Sequence, residues 1–181
     1  MNVVKPVTFW NWLIKGSGSK PGYRKIVDLW LIIHMAIGVT LALIVPIDLK
    51  DAANTVLLPL AGILIGLSFA WGGNVQALLQ TSEIEQMADY HAGGFEEYLH
   101  TYQLAIFIIL LTLVGWALAG FNIFDNVWPT KDELYCYFVV SFILYSISSL
   151  ALRECWHIVL GAQYMLMLQN KIKRVKKGKD E

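Results

Sequence analysis

The chain reads as an all-α membrane protein, a bundle of four transmembrane helices, and three observations predict this. Four stretches carry no Lys, Arg, Asp or Glu over a spanning length: residues 29–47, 52–82, 101–124 and 134–152. Each meets or approaches the roughly 20 residues a helix needs to cross the hydrocarbon of a bilayer. The composition agrees, since 56% of the 181 residues are apolar and only 15% are charged, too greasy a balance for an ordinary soluble domain. The cations then sort by side. Lys5, Lys15, Lys20, Arg24 and Lys25 precede the first stretch, Arg153 follows the fourth, and six more lie between Lys171 and Lys179. Only Lys50 and Lys131 fall in the opposite loops, so the positive-inside rule predicts that both termini are cytoplasmic.

The elements follow in order. Residues 1–25 form an N-terminal unit. Within it, residues 7–15 hold Phe9, Trp10, Trp12, Leu13 and Ile14 between Lys5 and Lys15, the pattern of a short amphipathic helix lying at the headgroup layer. The string Gly16-Ser17-Gly18-Ser19-Lys20-Pro21-Gly22 supplies a flexible hinge. It is no phosphate loop, because no strand precedes it and no Lys-Ser/Thr pair completes it. The bundle occupies residues 26–173, with spans at about 26–47, 55–80, 101–124 and 134–155. Span one ends at Pro46, with residues 48–54 as a loop, and span two runs on toward the cytoplasmic hairpin 83–100. A second outer loop covers 121–133 and places Trp128 and Tyr135 at the interface. Span four meets no Pro, so its helix is expected to continue to about Lys173, nearly twice what a bilayer requires. Residues 174–181 are a basic tail that reads as an anchor for anionic lipid headgroups. Cys136 and Cys155 sit at opposite ends of one helix and are expected to be unpaired.

Candidate residues fall into four groups. Gly62, Gly66 and Ala70 recur every four residues on span two, and Asn74 continues the row. Small residues at this spacing either pack helices closely within the bundle or line a pore formed by several copies. Ser141, Tyr145 and Ser148 on span four pose the same choice between packing and a polar pore lining. Arg153, Glu154 and His157 are the one ionisable cluster in a predicted membrane helix. Their spacing lets them meet on neighbouring faces, either as an interfacial ion-pair group or as a charged ring at the cytoplasmic mouth of a pore. Three intervening residues are too few for the Arg…His pair of HEPN-type ribonucleases. Finally, Glu83, Glu85, Asp89, Glu96 and Glu97 make the hairpin acidic, which suits docking against the basic extension of span four or recruitment of a basic soluble partner.

No GxSxG, HExxH, paired membrane carboxylates or cofactor fingerprint occurs, so neither an enzyme nor a metal or cofactor site is expected. The basic tail lacks the interleaved aromatics of a nucleic-acid binder. The small-residue second span at 60–79, running into a polar hairpin, and a fourth span leading into Gln169-Asn170-Lys171 give the chain a layout that resembles small four-span bacterial phage-defence membrane proteins. The membrane component of the lambda-type Rex exclusion system is of this kind. The resemblance implies a bacterial inner-membrane location and a depolarising activity. The expectation is therefore a homo-oligomeric, regulated ion-permeable pore in the bilayer, with a non-conducting anchor for a soluble cytoplasmic partner as the alternative.

Overall fold

The computed structural model describes residues 7–16, 20–45, 47–79, 94–126 and 134–177. These are helical almost throughout, with no strand among the described residues. The order is α1 (Phe9–Lys15), a 3-10 turn (Gly22–Lys25), α2 (Leu29–Ile44), α3 (Leu49–Ala52), a π turn (Ala53–Leu57) leading into α4 (Leu58–Leu79), α5 (Gly94–Gly120), α6 (Ile123–Asn126) and α7 (Leu134–Lys177). Three helical runs are long and apolar enough to cross a membrane, Leu49–Gly73, Glu97–Gly120 and Leu134–Arg174. Their outward faces stay apolar, with Ile63, Phe69, Leu111 and Val114 all exposed. Water does not tolerate so continuous an apolar surface.

Expected span one differs. α2 has 16 residues and rises only about 24 Å at 1.5 Å per residue, short of the roughly 30 Å hydrocarbon. Both ends have a local cause. Asp28 takes an extended conformation and accepts a hydrogen bond from the Leu31 N–H (3.1 Å), capping the helix three residues later than 26. At the other end Val45 is extended, as expected for a residue that precedes a proline, here Pro46.

Two further boundaries move. The expected loop 48–54 is helical from Leu49, because Leu49, Ala52 and Ala53 bury against Trp116, Ala119, Leu144 and Tyr145. Pro59 brings no N–H and crowds the carbonyl four residues before it. The π turn at Ala53–Leu57 widens the helix just there. α5 begins at Gly94 and ends at Gly120, where Asn122 turns the chain in the left-handed region (φ 63°) before α6. α7 runs unbroken for 44 residues, about 66 Å, as the lack of Pro foretold.

α7 is the spine. It packs against α2, α4 and α5, and α4 packs against α5, whereas α2 rests chiefly on α7. Leu64, Leu104, Ile108, Ile109, Leu150 and Ile158 fill the interior toward one end, and the Trp116–Tyr145 cluster fills the other. Both cysteines are free.

Candidate functional site

The ionisable groups gather at one end of the bundle, where α1, the 3-10 turn, the start of α2, the start of α5 and the middle of α7 meet. Arg153 reaches across from α7 to Asp28 in a forked contact, Nη2 to Oδ2 at 2.7 Å and Nη1 to Oδ1 at 3.3 Å. Two parallel charge-assisted bonds fix orientation as well as distance. At Asp28 burial works to raise the carboxyl pKa. The Arg153 bond and charge, with the Leu31 and Trp30 backbone N–H groups, outweigh it and hold the carboxyl below its ordinary value. Next to the fork, Glu154 is almost fully buried. Its oxygens lie 3.9 Å from Arg153 Nε and 3.6 Å from His157 Nδ1. Of the three residues expected at a pore mouth, Arg153 and Glu154 are thus engaged inside the chain, and His157 is half exposed.

Beside this group stands a second one. The Trp12 ring is completely buried, and its indole N–H donates to Glu97 Oε2 at 2.6 Å. Lys25 Nζ lies 2.7 Å from the other Glu97 oxygen, donates to Thr101 Oγ1 at 2.6 Å, and stands 5.7 Å from the Trp12 ring centre. Gly22 lies flat under the same ring, where any Cβ would press on it. His100 Nε2 meets the Val7 carbonyl at 2.9 Å. α1 is therefore docked onto α5 with Trp12 inward, while Trp10 and Ile14 point out. Glu97, expected as a docking residue for a partner, instead ties the N-terminal unit to the bundle. Glu83, Glu85 and Asp89 lie outside the described residues, as do the side chains of Glu96 and Asn74.

From Asp28 and Arg153 a polar seam continues along α2 and α7, which run antiparallel. His34 Nδ1 meets Ser149 Oγ at 2.8 Å. One turn on, Gly38 accepts the approach of Ser146, where a Cβ would collide with its hydroxyl and come within 2.9 Å of the Phe142 carbonyl. At the far end the Tyr137 hydroxyl accepts the Leu49 N–H at 2.9 Å. In the sequence His34 and these serines stand more than a hundred residues apart. Their shared register, with α2 numbers rising as α7 numbers fall, is the signal that links them.

The other expected residues divide into inside and outside. Ser141 and Ser148 donate back to the Tyr137 and Leu144 carbonyls, each at 2.8 Å. Ser148 also accepts the Trp116 indole N–H at 2.7 Å, and the Tyr145 ring packs at a 57° tilt against Trp116 with centroids 5.4 Å apart. These three side chains of α7 pack the interior of a single chain. The row on α4 faces the opposite way. α4 buries Ala61, Leu64, Ser68 and Gly72 against its neighbours, and Tyr102 caps this face by donating to the Ser68 carbonyl (3.0 Å) above Gly72. Gly62, Gly66 and Ala70 are exposed, and among the described residues nothing lies within 4 Å of where a Cβ on either glycine would stand. Packing among the described residues does not account for this row. 

No protein-family model matches the chain, and no curated protein or solved structure matches it either. Its chemistry has to be read from its own surfaces.

One more surface went unnoticed in the sequence. Beyond Arg153, α7 buries Ile158, Ala162, Met165 and Gln169, but Trp156, Leu160, Tyr164 and Met167 are exposed. Spacings of four, four and three put these on one helical face. The general greasiness of α7 hid this stripe.

Proposed function

We propose that the protein is a multi-pass component of a bacterial inner membrane, N-in and C-in, that self-associates and acts as a regulated, membrane-depolarising pore. α2 completes the set of four membrane helices by sitting against α7 at a depth its short length allows, with Asp28 and Arg153 at the inner headgroup level. The observation that carries the reading is the outward row Gly62, Gly66 and Ala70. In lipid, such a row lets a second backbone approach closely and gain van der Waals contact that flexible acyl chains do not offer. Because the interior of one chain is filled by side chains such as Leu64, Ile109 and Trp116, a passage has to run between copies.

The test is ion flux from liposomes loaded with the purified protein, with chemical cross-linking in the same vesicles. Wild type is expected to cross-link as an oligomer and release a potassium gradient. Gly66→Leu is expected to insert normally and lose both. Absence of flux at every protein-to-lipid ratio would remove the pore reading.

One observation favours a second reading, a non-conducting anchor that holds a soluble protein at the inner face. The stripe of Trp156, Leu160, Tyr164 and Met167 lies beyond the headgroup level set by Arg153, where an exposed apolar face in water calls for a partner. An anchor predicts no flux, together with loss of a co-purifying protein when Trp156 and Tyr164 are both changed to Glu.

A further inference from the structure

The exposed stripe on α7 does not end at Met167. Lys171 and Arg174 continue it at spacings of four and three. At 3.6 residues per turn, Trp156, Leu160, Tyr164, Met167, Lys171 and Arg174 then share one face, within an arc of about 80°. All six are exposed. The face is apolar at the end near the bundle and cationic at the end far from it. Among the described residues the ion-paired carboxylates, Asp28, Glu97 and Glu154, are engaged by Arg153, Lys25 and His157. Neither Lys171 nor Arg174 meets one.

Lipid, a second copy and a soluble protein are the candidate covers, and depth and charge decide between them. With Arg153 at the inner headgroup level, Leu160, Tyr164 and Met167 lie about 10, 16 and 21 Å further along the helix. The headgroup layer on one side is only about 5–8 Å thick. Even at a tilt of about 40°, steep for a membrane helix, Met167 stays about 16 Å beyond that level. Lipid therefore leaves most of the stripe uncovered, and it does not reach the two cations at all. A second copy lies in the same membrane in the same orientation. Two facing stripes then run parallel and set Lys171 and Arg174 against their own counterparts, a juxtaposition of like charges that opposes pairing. A soluble helix with an apolar seam and an acidic end has neither defect, and it matches anchors spaced by four and three residues.

We propose that the extension of α7 docks an amphipathic helix of a soluble cytoplasmic protein. Its apolar side covers Trp156, Leu160, Tyr164 and Met167, and its acidic side chains pair with Lys171 and Arg174. This rests on the anchor reading, because it needs the end of α7 in the cytoplasm, and it gives that anchor a partner of defined chemistry. The apolar anchors supply affinity. The cations select an acidic partner and fix which of its ends lies far from the membrane.

The experiment uses the full chain in nanodiscs of neutral phosphatidylcholine, where both faces are accessible. The probes are two labelled, designed helical peptides with the same leucine seam, one with glutamates and the other with lysines at one end. Binding is read by fluorescence anisotropy against empty nanodiscs. Wild type is expected to prefer the acidic peptide by roughly tenfold, since two exposed pairs change from attraction to repulsion and each contributes modestly. Lys171→Glu with Arg174→Glu should invert the preference, and Trp156→Ala with Tyr164→Ala should weaken both peptides. A second measurement reads the cover directly. In a Cys136→Ala, Cys155→Ala background, Leu160→Cys is expected to react with a charged maleimide far faster than Leu111→Cys on the lipid-facing side of α5. Equally slow labelling would show lipid over the stripe and remove the anchor reading along with the proposal. Fast labelling with equal affinity for the two peptides would overturn the proposal alone, as would ready disulfide formation between two Leu160→Cys chains, the mark of a second copy on this face.

Discussion

Gly38 and Gly66 are both helical glycines in an apolar segment, yet the structure assigns them opposite tolerances. A Cβ on Gly38 runs into the Ser146 hydroxyl and lies 2.9 Å from both the Phe142 carbonyl oxygen and the Ser146 backbone nitrogen. The hydroxyl can rotate away, but the two backbone atoms cannot, so α2 and α7 must separate. Overpacking of this kind costs about 1–3 kcal/mol. A Cβ on Gly66 meets nothing within 4 Å among the described residues. Whatever alanine gains in helix propensity, up to about 1 kcal/mol, is common to both sites, so the difference between Gly38→Ala and Gly66→Ala isolates the packing part. The assay is reversible unfolding in mixed micelles of increasing SDS content, followed by far-ultraviolet circular dichroism at low protein concentration. Gly38→Ala is expected to unfold earlier than Gly66→Ala by about 1–3 kcal/mol. Adding Ser146→Ala should return only part of the loss. If both alanine variants unfold together, the close α2–α7 seam is wrong.

Two further outcomes follow from the charged end. Arg153→Ala leaves Asp28 without its fork and is expected to destabilise the fold by about 1.5–3 kcal/mol, the range for hydrogen bonds to charged groups, with partial recovery in the Asp28→Arg/Arg153→Asp exchange; the SDS assay reads both. Because the Asp28 carboxyl is held below its ordinary value, its contribution is present above the unfolded value near 3.9 and fades as pH falls through the folded one. Wild type should therefore lose stability in acid by a component that Asp28→Asn lacks. Trp12→Phe removes the 2.6 Å bond to Glu97 while keeping an aromatic ring, and should cost about 1.5–3 kcal/mol of α1 docking. Limited trypsin digestion after Lys15 reads this as faster cleavage, and unchanged cleavage would show that Glu97 does not hold α1.

The three long apolar helices were legible because uncharged length marks a helix able to cross a bilayer, and the length of α7 because nothing in its sequence stops a helix. Boundaries were less so. Asp28 marks the entrance of span one in the sequence, but only its bond to Leu31 shows that the helix starts after it. Residues 48–54 read as a loop from two aspartates, a lysine and an asparagine. Burial of Leu49, Ala52 and Ala53 against Trp116 overrides that polarity. The face of α4 could not be read at all, since a helix apolar on every side has no periodicity to betray its inward row. Trp10 and Trp12 did carry a usable signal. Two residues apart on a helix, they point to different sides, so both could not lie in the headgroup layer, and Trp12 went inward to Glu97.

The seam between α2 and α7 also bears on how the chain is made. α2 brings Asp28 and His34 into the bundle, and its partners Arg153 and Ser149 belong to α7, which is made after the other described helices. Until α7 arrives, a short helix with an acid at its end and an imidazole in its side has no protein surface to satisfy them. Folding in chain order therefore leaves α2 provisional until α7 has emerged. A nascent chain stopped after α5 would already hold the α4–α5 pair, with Tyr102 seated over Gly72, but not yet the structure that orders its own first helix.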